Sequence, residues 1–90
     1  MSKANAKEIR IVVVVSGWVF VGEYEFDKAL NCVRLENASC IRSWGTTAGL
    51  GQLALKGPQK ATVLDFTGVV DVPLNSVVAT IRCNLDVWNR

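Results

Sequence analysis

Apolar and polar residues alternate with a period of two along most of this chain, and one stretch breaks into a helical spacing. "EIRIVVVV" (8–15) is β-branched almost throughout, too short and too apolar for a surface helix, and predicts a strand covered on both faces. Ser16-Gly17 then turns the chain. In "WVFVGEYEF" (18–26), Trp18, Phe20, Tyr24 and Phe26 share one side, predicted to face inward, while Val19, Val21, Glu23 and Glu25 share the other. Gly22 interrupts the aromatic side, where a missing side chain marks a bulge, a bend or a close approach of backbone. Small barrels close through such bends, so a curved sheet is expected.

"NCVRLE" and "CIRSW" flank a turn at "NAS" (37–39) and pair as a hairpin, with Val33 and Leu35 inward and Arg34 and Glu36 toward water. "TVLDF" and "VVDVP" follow as two strands around a turn at Thr67-Gly68. The closing strand "SVVATIRCNLDVW" puts Val77, Ala79, Ile81 and Cys83 on one face and Val78, Thr80, Arg82 and Asn84 on the other. Six to seven short strands with one helical interruption predict a mainly all-β domain, a small curved β-barrel or sandwich of SH3/Sm-like size. It is expected to span residues 8–88 as one domain, after a loose polar arm over residues 1–7. Trp88 points to docking of the tail, as a strand or otherwise.

The interruption is "RSWGTTAGLGQLALKGP" (42–58). Leu50, Leu53 and Ala54 fall at the i, i+3, i+4 spacing of one helical face, Thr46 or Thr47 is placed to cap the start, Gly57 suits the residue after the last turn, and Pro58 ends it. Two turns at most are expected. Gly49 and Gly51 each cost such a helix roughly 1 kcal/mol relative to alanine, which asks for a reason beyond helix formation. Close approach of another group supplies one.

Composition narrows the classes. Ninety residues bury only about 60 to 65% of the unfolded chain's surface, so self-association, as a homo-oligomer, is expected. A net charge of +2 lacks the basic excess of a dedicated duplex binder. Cys32, Cys40 and Cys83 have no Cys-x-x-Cys spacing, and there is no histidine, so neither a disulfide framework nor a metal site is suggested; the thiols read as buried or half-buried. "IVVVV" is far shorter than the about 20 residues that cross a bilayer, and no secretory segment is visible, which places the chain in a cytoplasm with no membrane partner.

The helix entrance is the candidate site. Its backbone amides, the hydroxyls of Thr46 and Thr47 and the bare Gly49 and Gly51 form a plausible anion or phosphate cradle, with Arg42 upstream, Lys56 and Lys60 downstream, and Trp44 as a flat face for a base. It is not a Walker loop, and "GLGQLA" lacks the βαβ context of a dinucleotide fingerprint. The competing reading is packing alone: glycines that permit a tight crossover, Trp44 plugging one barrel end, Leu50 and Leu53 covering its mouth. Asp65, at a strand end before a glycine turn, either closes an Asx-type turn or reaches the amides of the glycine segment. The remaining charges, Glu23, Glu25, Arg34, Glu36, Asp71 and Arg82, read as solvated strand positions. With no histidine, no closely paired carboxylates and no ligand cluster, no catalytic residue and no cofactor is expected; Cys40 beside Arg42 is at most a weakly activated thiol.

The run W-G-T-T-x-G-L-G-x-L-A-x-x-G-P (44–58), with "TVLD" (62–65), "VFVGE" (19–23) and "VDVPLNSVVATIRC" (70–83), resembles a family of small uncharacterised proteins of bacteriophages and prophages. The resemblance covers nearly all of residues 9–83 and implies expression in a bacterial host's cytoplasm, in a class of proteins that often act by binding: blocking a host protein or sequestering a nucleotide signal. Three functions follow as expectations. The first is a non-catalytic oligomer that holds a small anionic or nucleotide ligand at Arg42, Trp44, Thr46, Thr47, Gly49, Gly51, Lys56 and Asp65. A second is a single-stranded nucleic-acid module stacking bases on Trp18, Phe20 or Trp44, with Arg34, Arg42 and Arg82 on phosphates. The third is a protein-protein or structural element that docks through strand edges or an apolar helix face.

Overall fold

The computed structural model describes residues 8–88; the expected amino-terminal arm and the last two residues of the tail lie outside them. Five strands form one antiparallel sheet: β1 (Ile9–Val14), β2 (Val19–Asp27), β3 (Cys32–Ser43), β4 (Val63–Pro73) and β5 (Val77–Arg82), in the order β4-β3-β2-β1-β5. Helix α1 (Gly49–Lys56) joins β3 to β4, a 3₁₀ turn (Leu74–Ser76) joins β4 to β5, and a single helical turn, α2 (Leu85–Trp88), ends the described chain. β4 and β5 are the two edges, so the sheet does not close through hydrogen bonds.

Two expected turns are bulges instead. "NAS" lies inside β3, where Asn37 takes a positive φ of 49° and the register to β4 slips between Leu35 and Ala38. Gly68, with φ 87°, sits opposite Ala38 and takes up the same irregularity inside β4. Two residues that leave the ordinary β region thus bend one long ladder rather than making two short hairpins, which is why five strands replace six or seven. Gly22 does what its position predicts: the β2–β3 register shifts between Val21 and Glu23, and a Cβ there would stand 3.0 Å from the Cα of Ala38.

The bends let the sheet curl over one face. Val12 of β1 packs with Val33, Leu35 and Ala38 of β3, and half-buried Tyr24, Val70 and Val77 close around them, although β1 and β3 are not neighbours. The other face of β1 carries Ile9 and Ile11 into a second core with Val19, Val21, Ile41, Leu53, Ala54, Cys83 and Trp88. β1 is therefore covered on both sides, as its unbroken β-branched run requires. In β2 the expected polarity is corrected. Val19 and Val21 are buried under α1 and the tail, while the aromatic side is covered in part: Phe20 and Tyr24 are half-buried against the Val12 core, and Trp18 and Phe26, toward the two ends, are exposed.

Eight residues are too few for a helix to hold alone, so α1 depends on docking. Leu53 and Ala54 are fully buried, a burial worth about 2 kcal/mol for the leucine alone. The tail then occupies the helix's last carbonyls: Trp88 Nε1 donates to Leu53 O at 2.9 Å, and the Asn84 amide donates to Ala54 O at 2.9 Å. The final strand stops at Arg82, and the tail, whose form the sequence left open, docks through Trp88 as part of a helical turn.

Candidate functional site

The expected site residues separate into two groups. Ile41 packs against Leu53 and Ala54 under α1, so strand alternation turns its neighbours Cys40 and Arg42 to the opposite face. Asp65 faces Cys40 across the β3–β4 ladder, and Arg42 grips it with two bonds, Nε to Oδ2 at 2.8 Å and Nη2 to Oδ1 at 3.1 Å. Asp65 therefore neither closes an Asx turn nor reaches the glycine segment; the guanidinium is the nearer partner.

Trp44, Thr46, Thr47, Gly49 and Gly51 belong to the crossover at the start of α1. Neither threonine caps the helix, whose N-cap is Ala48 without a side-chain bond of its own. Thr46 Oγ1 instead donates to Gly49 O at 2.8 Å, and Thr47 Oγ1 lies 3.1 Å from Gln52 Oε1. That same Gln52 oxygen accepts from the Ala48 amide at 2.7 Å, so a glutamine one turn on reaches back and takes the outermost amide. The Trp44 ring stands 4.0 Å from where a Gly49 Cβ would lie, partly walling the entrance. Gly51 has open space around it, so no close approach explains it. Gly45 is the glycine that sequence reasoning undervalued: at φ 67°, a Cβ there would lie 2.3 Å from the Ala61 carbonyl carbon and the Thr62 nitrogen. Lys56 sits in the last turn of α1, at the other end of the helix from the proposed cradle.

Arg42 and Asp65 are instead brought together with Trp18. Trp18, Cys40, Arg42, Asp65 and the Ser16-Gly17 turn line an open pocket of about 450 Å³, within the range of small-ligand sites. Trp18 is 57% exposed and stacks on Phe20, with ring centroids 6.0 Å apart and planes 4° from parallel. Trp18 also lines a second cleft, of about 310 Å³, that runs past Phe20, Val70, Val72 and Pro73 and is almost wholly apolar. The sequence marks Trp18 as a stacking platform only in the nucleic-acid alternative, because inward-facing alternation assigns its side of β2 to the core.

Electrostatics narrows the chemistry further. Among the described residues every arginine faces a carboxylate: Arg10 and Arg82 meet Glu8, Arg34 meets Asp71 and Asp27, and Arg42 meets Asp65. Of the arginines expected to meet phosphates, Arg34 and Arg42 thus each have a carboxylate partner of their own, while Arg82 shares Glu8 with Arg10. Burial raises the Cys40 thiol above its ordinary range, the Asp65 carboxylate adds to this, and the opposing pull of Arg42 is the smallest influence. Arg42 therefore does not activate it, and Cys40 stays a protonated thiol. Among the described residues no group of three or more His, Cys, Asp or Glu side chains gathers where a metal ion could sit, and no helix is long and apolar enough to cross a membrane. No model of a known protein family matches the chain, and no curated protein matches it in sequence.

Proposed function

We propose that the chain is a non-catalytic binding protein whose small-molecule ligand lies against Trp18, between the β1–β2 turn and the Arg42–Asp65 pair. One observation carries this reading: a half-exposed tryptophan, a donor and an acceptor converge on one 450 Å³ pocket, on the side of the sheet that α1 leaves uncovered. An exposed tryptophan held flat by a second ring gives a large contact area at low entropic cost, and the neighbouring charged pair supplies orientation. The scaffold is, on this proposal, an open barrel of SH3/Sm-like size. The resemblance of residues 44–58 to bacteriophage proteins supplies the proposed setting, a bacterial cytoplasm in which binding sequesters a host molecule. The glycine segment takes a structural part in this scheme, because Gln52 already serves the Ala48 amide and Gly45 is needed for the crossover.

A second reading is favoured by the free edge strand. In β4, Phe66 is 70% and Val69 61% exposed, and such an edge pairs with another copy or with a host protein unless something covers it. The two readings separate in one NMR experiment on labelled protein, titrated with small anions, nucleotides and aromatic fragments and then diluted stepwise. Ligand-dependent shifts at residues 16–19, 40–42 and 65 support the pocket. Shifts at residues 49–51 return the site to the helix entrance, and concentration-dependent shifts along β4 support self-association. A panel that moves nothing at millimolar concentration overturns the pocket.

A further inference from the structure

Neither edge of the sheet is guarded. β4 and β5 each have a neighbouring strand on one side only, so the outward backbone N–H and C=O groups of both have no partner in the sheet. Neither strand contains a lysine, and the one proline, Pro73, is the last residue of β4. Each also exposes apolar side chains: Phe66 and Val69 on β4, and Val78, 62% exposed, on β5.

Charge and side-chain direction decide which edge meets which. The charged residues of β4 are both acidic, so two copies of β4 laid antiparallel about Gly68 would set Asp65 against Asp71 of the other copy. The single charged residue of β5 is Arg82. It is the arginine least claimed within its own chain: it meets Glu8 at 3.2 Å, and Arg10 already holds that carboxylate at 2.8 Å. Leu64 and Ile81 pack into the core under α1, so Asp65 and Arg82, one residue further along, both turn to the opposite face. Val70 and Val77 pack against the core on that opposite face.

We propose that β4 of one copy pairs antiparallel with β5 of a second copy, with Asp65 opposite the neighbouring copy's Arg82. The inference rests on the edge-strand reading above and names the partner surface. This register also sets Phe66 opposite Ile81 on the α1 face, Val70 opposite Val77 on the other, and the exposed Val69 opposite the exposed Val78. The irregularities coincide too: Gly68, where the β3–β4 ladder slips, falls opposite Ala79, next to Val78, the residue that the β1–β5 ladder skips. The contact is heterologous, since each copy uses β4 toward one neighbour and β5 toward another, so copies add head to tail. It also brings the neighbouring copy's Arg82 to Asp65, a residue that lines the Trp18 pocket.

The test is sedimentation velocity on the full chain from about 1 µM to about 1 mM, with two variants that each block one edge with a lysine, Val69→Lys on β4 and Val78→Lys on β5. The parent chain is expected to grow beyond the monomer as concentration rises. Each variant should stay monomeric and keep the parent's circular dichroism, since the replaced side chains are exposed. Mixed in equal amounts, the two variants should form a dimer and nothing larger, because one retains a free β5 and the other a free β4. Arg82→Glu should weaken the parent's association about tenfold, and Asp71→Asn, on the other face, by less than about twofold. A parent chain that stays monomeric at about 1 mM overturns the proposal and the self-association half of the edge-strand reading with it. If Val69→Lys abolishes association while Val78→Lys leaves it intact, β4 remains the docking edge and the pairing with β5 is wrong. A mixture of the two variants that stays monomeric, or Arg82→Glu associating like the parent, also overturns the pairing.

Discussion

Trp88 and Trp18 lie on opposite sides of one sheet, and they have opposite surroundings. Trp88 is 1% exposed, among Ile9, Ile11, Val21 and Leu53, with its indole N–H spent on a helix carbonyl. Trp18 is 57% exposed, stacked on a single ring, and lines two open pockets. The first side is finished: helix, tail and sheet satisfy one another. The second is closed where the sheet curls over Val12, Val33, Leu35 and Ala38 but stays open around Trp18, and an apolar surface left open beside an oriented charged pair is where a binding protein keeps its contact area. The same residue type thus does structural work on one face and is free to bind on the other.

The largest expected effect tests that contrast directly. Trp88→Ala removes a fully buried ring and one of the two donors to the Leu53 carbonyl, which should cost about 3 to 5 kcal/mol. Trp18→Ala should change stability by less than about 1 kcal/mol, since most of that ring is already in water. Urea denaturation of both variants checks this. Equal destabilisation would break the comparison and make Trp18 a core residue.

How far the sequence could be read follows the same line. A β-branched run located β1, period-two alternation located the remaining strand segments, with β3 and β4 each read as two, and the i, i+3, i+4 spacing of Leu50, Leu53 and Ala54 located α1 and its buried face, because local spacing directly determines which residues share a side. Where the chain turns was less legible. Asn37 and Gly68 carry turn chemistry, but a residue with positive φ serves a bulge as well as a hairpin, and only the pairing of β3 with β4 decides between them. Both sides of β2 meet a core, Phe20 and Tyr24 against Val12 and Val19 and Val21 under α1; alternation gives the two faces, and only the position of a helix distant in sequence shows that the valine side is the more deeply covered. Of the candidate site, Arg42 and Asp65 were identified but not their bond to each other. Trp18, remote from both in the chain, joins them only through the β1–β2 turn.

Glycines sharpen the contrast at intermediate cost. Gly45→Ala places a methyl group 2.3 Å from backbone atoms of Ala61 and Thr62, at a φ of 67° that alanine rarely adopts, and should cost at least about 2 kcal/mol. Gly51→Ala, a helical position with open space around it, should stabilise by about 1 kcal/mol. Thermal melts of the two variants moving in the same direction would mean that the crossover is not held as described.

The two faces also differ in their thiols. Burial pushes the Cys83 thiol up to about 12 from an ordinary 9.0. Below about pH 9 both folded and unfolded chains keep this proton. Between about 9 and 12 only the unfolded chain releases it, so stability falls as pH rises, on the order of 1 kcal/mol per pH unit. Cys83→Ala should remove that part of the alkaline slope, measured as chemical stability at successive pH values. Cys40, half-buried at the open pocket, should meanwhile react with a thiol reagent well before Cys83 in the native protein.

The smallest effect concerns the Arg42–Asp65 pair, whose geometry alone would suggest a strong anchor. Its side chains are 68% and 49% exposed, so water screens the attraction and both long side chains pay entropy to hold one arrangement. A double-mutant cycle through Arg42→Ala, Asp65→Ala and the double variant should therefore give a coupling of about 0.5 kcal/mol, falling further in 0.5 M salt. A pair that adds so little to folding, yet is held in a fixed bidentate plane beside an exposed tryptophan, is free to be spent on a ligand. If the cycle returned more than about 1.5 kcal/mol, insensitive to salt, the pair would belong with Trp88 as part of the closed structure, and the open face would lose the polar half of its site.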